Sequence, residues 1–502
     1  MNAIKLLLAG LAIGLMVLSC GTKQEVETIE DQQTALESDS STQDNGQQGE
    51  EPQQPADQTG EDPQQPEEPQ QPEEPQQPEE PQNPAEQNGE EPQQPEEPQQ
   101  PEEPQGEDPE KDLPAYEFLS SEAPAALSAA QKEKISNLNT FAFAFANRID
   151  EMKGTDSYVI SPVSMAYLLG MLSEGASGAT REEICKSLGF GAGDQQEINE
   201  FCRDLMVLAS RAASNGEILE LANVAVLNKD FKLHESYRKA VKNYYDASAF
   251  NMDFFTQDVT GYVNGWASKH THGLIQKIVD QVSPDTRAIL MNALYFKAEW
   301  AIPFEPLSTK EENFTGAEGK VRKEKMMSSM EGYRYANMDG YEALRLDYGS
   351  NYRSGNYCMY ILLPDKGVTE AQVLKKMDKD AWSSMKSSLK YNLVWLKLPR
   401  FEVDFNEELN VVLQALGIKS MFSSSADFSR MSEEALAVSM VKQASKISVN
   451  EKGTEAAAVS IETMDGASGN EPEPVKFVAD RPFLFAIEEK TTGSLLFMGS
   501  YR

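Results

Sequence analysis

The sequence predicts an α+β domain carried behind a long non-globular N-terminal tract. Apolar residues recur at helical spacing early in the C-terminal 390 residues, strand-like runs dominate later, and acidic charge and proline are concentrated ahead of both. Residues 21–112 hold 29 Asp and Glu against Lys23 and Lys111 alone, whereas residues 113–502 carry 42 basic and 52 acidic groups. The first stretch is too polar to bury a core; the second is long enough for a large one. Nothing clusters Lys and Arg densely enough to release counterions from nucleic acid, which excludes a phosphate-backbone binder.

From the N-terminus, Met1-Asn2-Ala3-Ile4-Lys5 precedes an apolar run over residues 6–18, the pattern of a signal peptide and too short to span a bilayer. The following Val17-Leu18-Ser19-Cys20-Gly21 resembles a bacterial lipobox. That resemblance implies removal of residues 1–19 and acylation of Cys20, each buried methylene contributing about 0.8 kcal/mol to membrane anchoring. Gly21, rather than Asp, is similar to lipoproteins passed on to an outer membrane and cell surface; the alternative is retention on the periplasmic side. Residues 20–112 form the next unit. Between Pro52 and Pro104 the hexad Pro-Glu-Glu-Pro-Gln-Gln recurs, and 16 of the chain's 27 prolines lie in residues 21–112. Fixed proline φ angles and Glu repulsion favour an extended, disordered spacer reaching up to about 150 Å. A ligand for proline-recognising domains is the other reading, disfavoured by the absence of basic residues in the repeat.

The third unit, residues 113–502, is the globular one. Helices are predicted over residues 135–149, 164–173 and 180–188, with Gly189-Phe190-Gly191-Ala192-Gly193 a loop after the last. Strands are predicted over residues 289–296, 358–363 and 393–398. The chemistry available to an enzyme is sparse. The histidines are His234, His270 and His272, with no Cys or carboxylate at a ligand offset, so no metal or cofactor site is expected. No Gly-x-Ser-x-Gly elbow occurs. With Cys20 lipidated, Cys185, Cys202 and Cys358 remain, an odd number read as buried hydrophobes; a Cys185–Cys202 pair is the alternative.

Longer motifs go further. Tyr158-Val159-Ile160-Ser161-Pro162-Val163-Ser164, then Gly175-Ala176-Ser177-Gly178-Ala179-Thr180, resemble the opening of the serpins. The resemblance continues in order through Asn264-Gly265-Trp266, Thr271-His272-Gly273-Leu274-Ile275 and Met291-Asn292-Ala293-Leu294-Tyr295-Phe296-Lys297-Ala298-Glu299-Trp300. Leu398-Pro399-Arg400-Phe401, Leu416-Gly417-Ile418, residues 477–485 and Leu496-Phe497-Met498-Gly499 complete it. It implies a serpin fold of three β-sheets, eight or nine helices and an exposed reactive-centre loop. It also implies an inhibitor rather than an enzyme, a monomer whose partner is a serine protease caught as a covalent acyl complex when the cut loop inserts into the main sheet. Cysteine proteases are further candidates.

In Glu451-Lys452-Gly453-Thr454-Glu455-Ala456-Ala457-Ala458-Val459-Ser460 the resemblance is to the hinge of inhibitory members. The residues suit insertion in their own right: strand alternation sends Thr454, Ala456, Ala458 and Ser460 to one face, and no Pro interrupts residues 453–471. The same alternation puts Glu462 inward, where burying an unpaired carboxylate costs several kcal/mol. Counting from Gly453 as the family does places the scissile bond at Ala467–Ser468, with Met464 and Asp465 as fallback sites. Residues 453–475 contain no Lys or Arg, which excludes trapping of trypsin-like proteases. Ala467 suits elastase- or subtilisin-like pockets, Met464 a roomier apolar one. Ser161, Ser164, Asn292 and Gln443 match the family's polar cluster beneath the main sheet, with Gln443 where a His is usual, so this position cannot titrate near neutral pH. The alternative function is a non-inhibitory serpin-fold surface binding protein whose loop is cut without trapping, favoured mildly by Glu462.

Overall fold

The computed structural model describes residues 109–111, 113–191, 193–213, 216–454 and 473–502, all within the unit Gln93–Arg502. Cys20, the Pro/Glu/Gln tract and residues 455–472 lie outside the described residues.

The helices are α1 (Ala129–Lys153), α2 (Pro162–Gly175), α3 (Gly178–Ser187), α4 (Gln195–Ala212), α5 (Glu235–Tyr245), α6 (Val259–His270), α7 (Glu370–Lys375), α8 (Lys379–Ser388) and α9 (Asn410–Ala415). The first eight strands are β1 (Tyr158–Ile160), β2 (Ile218–Asn228), β3 (Ala247–Met252), β4 (Ala288–Glu299), β5 (Lys310–Thr315), β6 (Val321–Met338), β7 (Tyr341–Ser350) and β8 (Arg353–Pro364). The others are β9 (Lys390–Pro399), β10 (Phe401–Glu408), β11 (Met440–Asn450), β12 (Gly453–Thr454), β13 (Val475–Val478), β14 (Phe483–Glu489) and β15 (Ser494–Tyr501). The predicted helices over residues 135–149 and 164–173 and all three predicted strands fall inside observed ones, while the helix predicted over residues 180–188 overruns α3 by one residue, because Leu188 is its C-cap.

Local chemistry sets the helix starts. Ser128 caps α1 in a reciprocal box with Gln131, satisfying two otherwise unpaired amides. Ser161 caps α2 by accepting from the Ser164 amide, and Pro162 occupies the first turn, where its missing N–H costs nothing. Every residue of α2 is buried, because this helix packs against both β4 and β15.

Among the described residues the strands form two connected sheets rather than three. One has the order β10-β11-β12-β4-β2-β3. The other runs β1-β15-β14-β8-β7-β6-β9-β13, with β5 on β6. The length of β6 explains the merger: Met326 to Tyr335 pair with β9, while Arg334 to Met338 pair with β7, so one strand carries two sheets. In the six-stranded sheet, β4 is apolar on both faces. Leu290, Leu294, Phe296 and Ala298 enter the main core, while Ile289, Met291 and Ala293 meet Val263 and Trp266 of α6. This is why residues 289–296 read as a continuous apolar run.

Arg502 fixes the end of the nine-stranded sheet to the helices. Its guanidinium is buried, pairs with Asp150 and Glu370, and donates to the carbonyls of Gly154 and Asp156. Arg502→Leu strands two carboxylates in the interior, and the expected cost is about 3–5 kcal/mol by chemical denaturation. A loss below about 1 kcal/mol contradicts this description.

Candidate functional site

The site is a slot in the six-stranded sheet between β4 and β11. These strands are parallel and pair at one end only, Met440 with Ile289 and Val441 with Leu290. At the other end β12 sits between them, antiparallel to both: Thr454 opposes Val449 and Ala298, and Gly453 opposes Asn450 and Glu299. Between these ends, residues 442–448 of β11 and 291–297 of β4 have no ladder partner across the slot among the described residues. The wall of the slot is built by alternation. Gln443, Ser445, Ile447 and Val449 of β11 are buried, with the intervening residues half-buried.

The chain enters the slot through a two-residue turn, Glu451-Lys452, held on every side. Asn450 Oδ1 accepts from the Lys452 amide at 2.9 Å. The Trp300 amide donates to the Lys452 carbonyl at 2.6 Å, its indole N–H to the Asn450 carbonyl at 2.9 Å, and the Phe304 amide to the Glu451 carbonyl at 2.8 Å. Trp300 stacks on Tyr348 with ring centroids 4.5 Å apart, and the Tyr348 hydroxyl lies 2.6 Å from Thr454 Oγ1. Gly453 is needed for space: a Cβ there would meet the Ala298 carbonyl oxygen at 2.0 Å.

The carboxylate of Glu451 is buried against Arg400, whose Nε donates at 2.6 Å, and Thr309, whose hydroxyl donates at 2.6 Å. Burial alone would push this carboxyl up, but the Arg400 and Thr309 hydrogen bonds outweigh it and hold the group below the usual carboxylate range.

Beneath the slot, Gln443 reads both backbone groups of Ser161, accepting from its amide at 3.2 Å and donating to its carbonyl at 2.9 Å. Ser164 reaches the same place through its amide on Ser161 Oγ at 3.3 Å. Asn292 is arranged differently, because its amide donates to Asn223, which in turn donates to the Tyr245 carbonyl. Ser164 Oγ and Asn292 Oδ1 are buried without a partner among the described residues.

Of the sequence-derived hinge, Glu451, Gly453 and Thr454 are placed at the mouth of the slot. Glu455, Ala456, Ala457, Ala458 and Val459, together with Glu462, Met464, Asp465, Ala467 and Ser468, lie outside the described residues. Trp300 and Arg400 sit inside the motifs quoted above, yet their grip on the turn was not read from sequence. Tyr348 and Thr309 carry no sequence signal, because only tertiary contact brings them there. Cys185, Cys202 and Cys358 are buried free thiols, and burial pushes Cys202 up to about 12, so it is a poor nucleophile. Among the described residues, no three His, Cys, Asp or Glu side chains gather as a metal site.

The serpin family model (serine protease inhibitor) matches residues 136–502. The chain is a member of the serpin family. Serpin-Z1C of Triticum aestivum is 32% identical over 379 residues, covering 73% of this chain and 95% of the wheat protein. The solved structure of a thyroxine-binding globulin complex with thyroxine aligns with a TM-score of 0.66 at 28% identity, covering 73% of this chain and 98% of the globulin. Mouse protein-Z dependent protease inhibitor aligns at 0.65 and 26%, covering 74% and 97%. The family is one of protease inhibitors in general, and this serpin shares its fold with a protease inhibitor and a thyroxine-binding globulin alike.

Because the Glu451 carboxyl is held low, the clamp is fully present above the unfolded Glu value of about 4.3 and is lost as pH falls through the depressed folded value. The protection of the Gly453 and Thr454 amides, taken relative to their intrinsic exchange rate at each pH, should therefore fall as the carboxyl is protonated in acid. In Glu451→Gln that acid dependence should vanish and the turn should be loosened at neutral pH, by roughly 1–3 kcal/mol. Identical acid profiles for the two proteins contradict the assignment.

Proposed function

We propose that this serpin is an inhibitory member that traps serine proteases as a suicide substrate. The protease attacks the loop carboxyl-terminal to the hinge, the serine hydroxyl forms an ester with the new carboxyl terminus, and the loop enters the slot before water can cleave the ester. The observation that carries this reading is β12: two hinge residues already occupy the slot as the start of a strand antiparallel to both neighbours.

Continuing that register, Ala456 falls opposite Ile447 and Phe296, Ala458 opposite Ser445 and Leu294, and Ser460 opposite Gln443 and Asn292. These are small side chains against a packed inner wall, and the Ser460 hydroxyl would reach the unpartnered Asn292 Oδ1. On the outer face, Ile461 would fall opposite Met291 and Lys442, at a small cavity lined by Val263, Ile278, Val279 and Met440 under α6. The register turns unfavourable at Glu462, which falls opposite Val441 and Leu290, where β11 and β4 are already paired. Passing it requires opening that pairing and burying a carboxylate.

The scissile bond is assigned to Ala467–Ser468, with Met464 and Asp465 as fallbacks, and the targets are elastase- or subtilisin-like proteases with small or apolar specificity. Thr454 to Ala467 would span about 46 Å as an added strand. An acyl anchor at Cys20 and the acidic spacer would present the domain away from a bacterial membrane, on the outer surface or the periplasmic side. The likeness to a thyroxine-binding globulin keeps a second reading, a non-inhibitory serpin-fold surface binding protein whose loop is cut without trapping.

Mixing the full chain with elastase-, subtilisin-, chymotrypsin- and trypsin-like proteases separates these readings. Trapping yields a boiling-resistant conjugate with the elastase or subtilisin type, none with trypsin, and a released peptide beginning at Ser468. Cleavage with no conjugate overturns the inhibitor reading in favour of the binding protein. Glu462→Leu should raise the ratio of conjugate to cleaved chain several-fold; an unchanged ratio shows that Glu462 does not oppose insertion.

A further inference from the structure

Strand β9 is apolar on both faces, one fully buried and the other only partly covered. Inward, Val394, Leu396 and Leu398 are completely buried. Outward, Tyr391, Leu393 and Trp395 follow at the alternate positions, and β6 sets Met330 directly opposite Trp395 and Arg334 opposite Tyr391. Tyr391 is 74% exposed and Met330 55%, whereas Leu393 and Trp395 are half-buried, so the face is open mainly at Tyr391 and Met330. A solvent-facing side of a strand is ordinarily polar. Here it is an apolar stripe, exposed at Tyr391 and Met330 and half-buried at Leu393 and Trp395, and the Tyr391 ring lies across Gly332, where an added Cβ would meet its hydroxyl at 1.8 Å.

The stripe is fixed in place. The Trp395 indole N–H donates to Ser328 Oγ at 3.3 Å, and the ammonium groups of Lys397 and Lys476 sit 5.2 and 5.7 Å from the Trp395 ring centre. Lys397 is paired with Glu312. Lys476 is exposed and pairs with no carboxylate among the described residues. Tyr, Trp, Met and Arg are the residue types enriched at the centres of protein interfaces, and exposed apolar patches rimmed by polar groups mark such sites.

We propose that this face is a second contact surface for the body of the target protease, engaged while its active site holds the loop. The inference rests on the loop being the bait, as set out above, and on where the loop ends. Val475 begins β13, which pairs in parallel with β9 so that Lys476 lies opposite Trp395. From Ser468 to Val475 is seven residues, at most about 25 Å of extended chain. A serine protease of about 230 residues has a radius of gyration near 17 Å, hence a width of about 45 Å. A body of that width attacking any bond between Met464 and Ser468 is tethered within reach of the stripe. The surface it lays there is apolar at its centre, with a carboxylate toward Lys476. The stripe therefore raises the rate of productive encounter and leaves the later contest between insertion and ester hydrolysis untouched.

The test follows loss of intact full-length chain under limiting protease, using whichever of the four proteases cuts the loop fastest. This rate reads encounter whether the chain is then trapped or released. The double variant Met330→Ser/Tyr391→Ser should be consumed at least 10-fold more slowly, with unchanged thermal unfolding and an unchanged ratio of conjugate to cleaved product. Lys476→Glu should be several-fold slower at low salt, with the difference shrinking at high salt. Rates within twofold of the unsubstituted protein for both variants overturn the proposal. If the unsubstituted protein is cut without forming a conjugate, the inhibitor reading fails while the rate comparison still decides the surface.

Discussion

Two parallel strands that do not close on each other dominate this molecule. Facing edges of β4 and β11 leave a run of backbone amides and carbonyls without ladder partners across the slot among the described residues, and buried backbone groups in that condition are costly. The pairing of Met440 and Val441 with Ile289 and Leu290 closes one end, and the Gly453–Thr454 wedge props the other. The remainder of the fold serves that gap. Helix α2 lies beneath it and is tied to β11 through Gln443 and Ser161, while α6 and its small core cover the outer face of β4.

The wedge is held more by its neighbours than by its own two ladder registers. Trp300 takes two carbonyls of the turn, Tyr348 meets Thr454, and Arg400 and Thr309 neutralise the buried Glu451. A charged group buried with such partners is costly to expose or strip of them. The hinge is thus registered in the slot before any loop residue follows, and the direction of entry is already antiparallel to both walls.

Much of this was legible in the sequence, for identifiable reasons. The β4 run is apolar on both faces because two cores press on it, and such a run is visible without coordinates. The alternation that assigns Thr454 to the inner face depends only on strand geometry, and the observed pairing with buried Val449 places it there. The polar cluster was legible as a set of residues but not as a set of bonds: Gln443 and Ser161 join directly, whereas Asn292 turns to Asn223. The merging of two expected sheets depends on β6 running straight through both, which no local pattern announces. Tyr348 and Thr309 were invisible because their importance comes from contacts more than one hundred residues away in the chain.

The central claim is that the slot is a vacant strand position for the segment following Thr454. Hydrogen exchange at residues 442–448 and 291–297, measured on the intact chain and again after the loop has been cut by a protease that is not trapped, tests it most directly. Insertion predicts that alternate amides along both strands gain strong protection after the cut, from the Thr454 end toward Glu462, with a large rise in thermal stability. Unchanged exchange and stability in the cleaved chain would contradict it, leaving β12 as a fixed hairpin with no strand to follow.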